Sequence, residues 1–236
     1  AVKPDGTLGK MGIKAGAILQ EINATTITSK NDLKVAMERV FDGDFMEVTV
    51  YLDGESVAFT GKAIGKLFED HPKADTYYDM VAYKNNALRT LLYVPKGKEK
   101  PPVVFYLQGY TCQSIEYAPY MPMKKLFNDW IEAGYAVYLV EKPGMGDSDC
   151  QTGCMDISFD QEMQAFEEGY KALFESDKID KDNMFLFGHS LGGIVAPILA
   201  QLINPKGVMV FGTVGKNWYD YMKPNRRSCW VQQRMR

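Results

Sequence analysis

The 236-residue chain is 46% hydrophobic and 24% charged, with a formal net charge of −3 at pH 7. That balance belongs to a globular protein with room for one large or two modest cores, and it argues against disorder and coiled coil. Acidic and basic residues interleave, so no extended field selects nucleic acid or an anionic membrane, and apolar runs such as Val103 to Leu107 are too short to cross a bilayer.

Residues 1–62 read as a small α+β unit. GIKAGAILQEIN predicts a turn and then a strand from Ile18 to Ile22. Ser29 is a candidate N-cap, and Leu33, Ala36, Met37 and Val40 recur at helical spacing, which predicts a helix of about three turns. Met46, Val48, Val50 and Leu52 then alternate with polar neighbours, and Asp53-Gly54 turns the chain into a second strand through Thr60. This order, with the stretch GIKAGAILQEINATTITSKNDL, resembles a PDZ domain of the kind found in bacterial proteases, whose usual pattern is GLKPGDVILSING. Ala17 stands for the usual Asp and Ala24 for the usual Gly, and the chain opens after the place of the carboxylate-binding loop. The resemblance implies a partial PDZ-like fold and a surface for peptide or protein contact, without carrying over the peptide-binding residues.

Residues 63–75, AIGKLFEDHPKAD, show no sustained period and are expected to be a linker that holds His71. Residues 76–236 change pattern. Tyr77 to Tyr83 and Ala87 to Val94, split by Asn85-Asn86, predict an antiparallel pair. Val103 to Leu107, Tyr135 to Val140, Met184 to Phe187 and Val208 to Phe211 are short continuous apolar runs, as expected of strands buried on both faces. Between them lie helical patterns over Met121 to Ala133, Phe159 to Phe174 and Leu191 to Ile203, the second opened by a Ser158/Gln161 capping box. Alternation of this kind predicts an α/β fold with a mainly parallel sheet and flanking helices.

LFGHSLGG, residues 186–193, places Ser190 between Gly188 and Gly192 as GxSxG, directly after a strand and directly before a helix. A sharp turn there exposes the hydroxyl at a helix N-terminus, makes Ser190 a candidate nucleophile, and makes the Leu191 N–H a candidate oxyanion donor. An N-cap serine is the plain alternative. After Val103 to Leu107 comes QGYTCQSIE, in which Gly109 makes a tight turn and the Tyr110 N–H is the second candidate donor. After the next strand comes EKPGMGDSD, which lacks the third glycine of a dinucleotide loop and any Walker lysine.

Together these three segments resemble the front part of an α/β-hydrolase, with Gln108 in place of a common His and EKPGMGDSD in place of DxRGxGxSxG. Behind a PDZ-like unit, they resemble bacterial hydrolases of that two-part arrangement. The resemblance implies a serine hydrolase forming an acyl-enzyme on Ser190, with esters as first substrate class and short peptides as second, and no cofactor; four cysteines without CxxC spacing and two histidines argue against a metal site. A non-catalytic scaffold is the alternative from another class. In the fold implied, the triad acid and histidine follow the serine, but no histidine occurs after Ser190; His189 is its neighbour and His71 precedes the first hydrolase strand. The chain is therefore expected to be an excerpt, incomplete at both ends, lacking the last strands and inactive alone. Asp147, Asp149 and Asp220 receive no triad role. The tail NRRSCWVQQRMR has no fold pattern and is not read as a nucleic-acid patch. Cys112 and Cys154 fall at the same end of the expected sheet, where a disulfide would fit a periplasmic or secreted protein; free buried thiols are the alternative.

Overall fold

The computed structural model describes residues 2–37, 40, 42–65, 69–112, 114–116, 122–148, 153–213 and 215. The chain divides into two compact units, Ala1–Phe68 and Glu69–Arg236. Among the described residues no helix is long and apolar enough to cross a membrane.

The first unit runs α1 (Thr7–Lys10), β1 (Ile18–Ile22), β2 (Thr25–Thr26), α2 (Lys30–Met37), β3 (Phe45–Leu52) and β4 (Glu55–Lys62). Its sheet has the order β2-β1-β3-β4 with every pair antiparallel. The alternation in β3 sends Met46, Val48 and Val50 into a core shared with Ile13, Ile22 and Ala63. Asp53 and Gly54 both take positive φ, 52° and 95°, as a two-residue hairpin turn of the favoured hand requires. The helical stripe is only partly used: Ala36 and Val40 pack against this core, while Leu33 and Met37 are exposed.

Ser29 does cap α2. Its hydroxyl accepts from the Asp32 N–H, and the Asp32 carboxylate accepts from the Thr28 hydroxyl and from the Thr28 and Ser29 amides. The Thr28 hydroxyl and the other donors hold the Asp32 pKa at about 2, below its ordinary 3.8. A depressed carboxylate pKa stabilises the fold fully above 3.8 and loses that contribution as the pH falls through about 2. Asp32→Asn is expected to remove this acid-limb dependence, which a melting temperature followed against pH would read.

The stretch 63–75 is not a linker throughout. Ala63 is buried in the first unit, where it exchanges backbone hydrogen bonds with Gly43 and Asp44. Glu69, His71 and Ala74 are buried in the second. Tyr93 donates to Glu69, and His71 sits between the Lys73 amide and Asn128. Sidedness toward two different cores leaves no periodic trace in so short a segment.

The second unit continues with β5 (Ala74–Tyr83), β6 (Asn86–Pro95), β7 (Val103–Leu107), α3 (Pro122–Glu132), β8 (Ala136–Val140), α4 (Phe159–Glu175), β9 (Met184–His189), α5 (Gly192–Ile203) and β10 (Gly207–Phe211). The sheet order is β10-β9-β7-β8-β6-β5. The first four strands are mutually parallel, and β6 and β5 join antiparallel. Tyr83 pairs with Asn86, so the hairpin turn is Lys84-Asn85 rather than Asn85-Asn86. Lys84 takes the positive φ, 53°.

Every residue of β7 and β8 is buried because helices cover both faces. Val103, Phe105 and Leu107 point toward α4 and α5, whose Phe166, Leu173, Val195 and Leu199 fill that side. Val104 and Tyr106 point the other way, toward Phe127 and Ile131 of α3. The capping box of α4 forms in both directions between Ser158 and Gln161.

Candidate active site

Two neighbouring parallel strands, β7 and β9, send their following helices to opposite faces of the sheet: α3 after β7, α5 after β9. In open α/β sheets a crevice opens outside the carboxyl ends of such a pair. Gln108, Gly109 and Tyr110 follow β7 there, and Ser190 follows β9.

Ser190 has φ 54°, a left-handed conformation that an L-residue adopts only under constraint. Three hydrogen bonds supply the constraint: the Ser190 N–H donates to Phe211 O at 2.9 Å, the Gly193 N–H to Ser190 O at 3.0 Å, and the Val195 N–H to Leu191 O at 3.1 Å. The serine is half-buried. Leu191 is the N-cap residue of α5, so its N–H lies at the positive end of the helix dipole. Among the described residues neither the Leu191 nor the Tyr110 N–H donates to another residue.

The glycines of the turn permit close backbone passage. A Cβ on Gly188 would lie 2.1 Å from Gly192 O, and one on Gly192 would lie 2.0 Å from Leu107 O. Both obstacles are main chain and cannot rotate aside. Gly192→Ala is therefore expected to destabilise the second unit by about 3 kcal/mol, the upper end of the overpacking range, read as a lowered urea midpoint. Gly109 also passes close to the serine, since a Cβ there would lie 2.8 Å from Ser190 Cβ and 3.4 Å from Ser190 Oγ. The loop after β7 and the serine after β9 are thus packed against one another.

Two features at this end of the sheet were not legible in the sequence. Lys142, directly after β8 and 3% exposed, places Nζ 2.7 Å from Gly109 O and 2.7 Å from a carboxylate oxygen of Glu162 in the first turn of α4. Burial pulls the Lys142 pKa below its ordinary value and pushes that of Glu162 up, each opposed by the other's charge. Glu141 is fully buried and accepts from the Ser114 hydroxyl and the Ile115 amide, tying the segment after β7 to the one after β8. The only signal in the sequence was charge set directly against apolar pattern: Glu141-Lys142 after an all-apolar strand, and Glu162 on the stripe that carries Phe166.

Cys112 and Cys154 are joined as a disulfide with Cα atoms 5.8 Å apart. His189 stacks on Phe211 at 6.0 Å between ring centroids. His71 is engaged by Asn128 on the α3 side of the sheet. Asp147 pairs with Arg89 at 3.8 Å. Asp149, Asp220, Cys150, Cys229 and the arginine-rich tail lie outside the described residues.

A family model described as X-Pro dipeptidyl-peptidase (S15 family) matches residues 85–234. No curated protein matches the chain. Solved structures do. A hypothetical protein from Pseudomonas aeruginosa is 15% identical with a TM-score of 0.55, over 70% of this chain and 53% of that one. The α/β hydrolase GrgF from Penicillium sp. sh18 is 16% identical with a TM-score of 0.52, over 67% and 52%. DcsB, solved with a substrate analogue, is 16% identical with a TM-score of 0.53, over 67% and 51%. At such identities the likeness is one of fold, an incomplete α/β-hydrolase sheet with its helices. The chain spans about half the length of each of these structures.

Proposed function

The chain belongs to the X-Pro dipeptidyl-peptidase (S15) family, and on that premise we propose that it carries the nucleophile half of a serine hydrolase active site. In this reading Ser190 attacks a carbonyl carbon and forms an acyl-enzyme, while the Leu191 and Tyr110 amides receive the developing oxyanion. The observation that carries it is the left-handed φ of 54° at Ser190, held at a strand-to-helix junction against Gly109.

A serine hydroxyl needs a base to remove its proton. His189 faces Phe211 and His71 is held by Asn128, so neither serves. The sequence holds no other histidine, so in this reading residues 1–236 supply the nucleophile and the oxyanion donors without a histidine base, and alone they are expected to turn over no ester. Carboxylic esters are the first substrate class proposed. Amides of short peptides are the second reading, favoured by the dipeptidyl-peptidase description of the family. The strand, helix and hairpin order of the first unit and its GIKAGAILQEIN stretch support a PDZ-like module, proposed as a peptide or protein contact surface. The Cys112–Cys154 disulfide supports an exported protein.

Treatment of the full-length protein with a fluorophosphonate, followed by peptide mass mapping, is expected to modify Ser190. A p-nitrophenyl ester against an X-Pro p-nitroanilide then separates the two substrate classes. An unmodified Ser190 in the full-length protein would favour a non-catalytic scaffold.

A further inference from the structure

The loop that passes Ser190 contains a peptide unit with no side chain of its own to orient it. Gly109 C=O and Tyr110 N–H belong to that one unit; it is planar and trans, so the two groups point in opposite directions. Glycine has the freest backbone of any residue, and a loop peptide that follows it keeps a fixed direction only if something outside grips it. Lys142 Nζ grips it, at 2.7 Å from Gly109 O.

We propose that Lys142, clamped between Glu162 and the Gly109 carbonyl, is a positioning residue that sets the direction of the Tyr110 amide. The inference rests on the reading of that amide as an oxyanion donor. Two further observations and one energetic argument support it. Lys142 is fixed in height because β8 and β7 are parallel and in register, Leu139 facing Tyr106, so the residues leaving the two strands meet at one level. Glu162 is fixed because α4 lies tightly on β8: a Cβ on Gly169 would come 2.4 Å from Val140 Cγ2. Finally, a buried ion pair is a poor way to stabilise a core, since well-packed apolar residues of similar volume usually do as well or better. Stability therefore gives no reason for an ammonium at this place, whereas a charge-assisted donor on the back of the Tyr110 peptide does.

Lys142→Met alone would leave Glu162 buried without its partner, so the test pairs it with Lys142→Met/Glu162→Met, which removes both charges, and with Lys142→Arg, which keeps a cation of similar reach. Each is made in the full-length protein. Three quantities are measured: the fluorophosphonate labelling rate of Ser190, kcat and KM for a p-nitrophenyl ester, and the melting temperature. The double variant is expected to fold and to lose about tenfold to a hundredfold in labelling rate and kcat, less than deletion of an oxyanion donor, with KM within about twofold. Lys142→Arg is expected to recover most of that loss. A folded double variant that labels at the wild-type rate overturns the role of Lys142 while leaving Ser190 as nucleophile. So does a folded Lys142→Arg protein as slow as the double variant. A wild-type protein that does not label overturns both readings together.

Discussion

Ser190→Ala in the full-length protein is expected to abolish fluorophosphonate labelling and to lower ester turnover by ~10⁴-fold or more, while the second unit stays folded. The substitution removes only Oγ. The hydrogen bonds that hold the turn run through the main chain, from Ser190 N to Phe211 O and from Gly193 N to Ser190 O, so they survive it. The strain survives as well, because alanine is no more comfortable than serine at φ 54°. Ser190→Gly separates the two effects. It also removes the hydroxyl, but it relieves about 1–2 kcal/mol of left-handed strain and gives back about 0.5–1 kcal/mol through the greater freedom of glycine in the unfolded chain. Ser190→Gly should therefore melt no lower than Ser190→Ala, with a net gain of up to about 1.5 kcal/mol. A melting temperature below that of Ser190→Ala would mean that the turn stores less strain than the freedom of glycine costs.

Removal of the Cys112–Cys154 disulfide is expected to destabilise the second unit by about 4 kcal/mol, from the loop-entropy relation applied to the 42-residue separation. Most globular domains have only 5–15 kcal/mol in hand, so this is a large fraction of the whole. Cys112→Ser/Cys154→Ser, or the wild type under dithiothreitol, should show a lower urea midpoint and a steeper dependence on urea, because the unbridged unfolded chain exposes more surface. The bridge joins the segment after β7 to the short helical turn Cys154–Asp156 ahead of α4. Its loss should therefore also slow Ser190 labelling in the folded protein. A midpoint unchanged on reduction would overturn the loop-entropy expectation.

The elements legible in the sequence were those whose signal is local and strong. β7 and β8 are unbroken apolar runs, as burial on both faces demands. Ser158 and Gln161 mark the start of α4 by their spacing alone. The serine turn announces itself because close passage of main chain at Gly188 and Gly192 admits glycine only. The four-residue α1 was not legible, being too short for any period and held by Thr7 and Ile64 bonding to each other across the unit. Nor was the division of residues 63–75 between two cores, which depends on distant partners. The ion pair of Lys142 with Glu162 escaped for the same reason: each residue looks like ordinary surface charge until β8 and α4 are packed together.

The central place of β7 has a kinetic consequence. Val103 pairs with Ala136 on one side and with Met184, far along the chain, on the other, and β8 and α4 lie between β7 and its parallel partner β9 in the sequence. Contacts between segments so remote in sequence are slow to form. The crevice beside Ser190 is thus expected to be among the last parts of the molecule to form during refolding, and labelling of Ser190 should lag behind the recovery of helical circular dichroism.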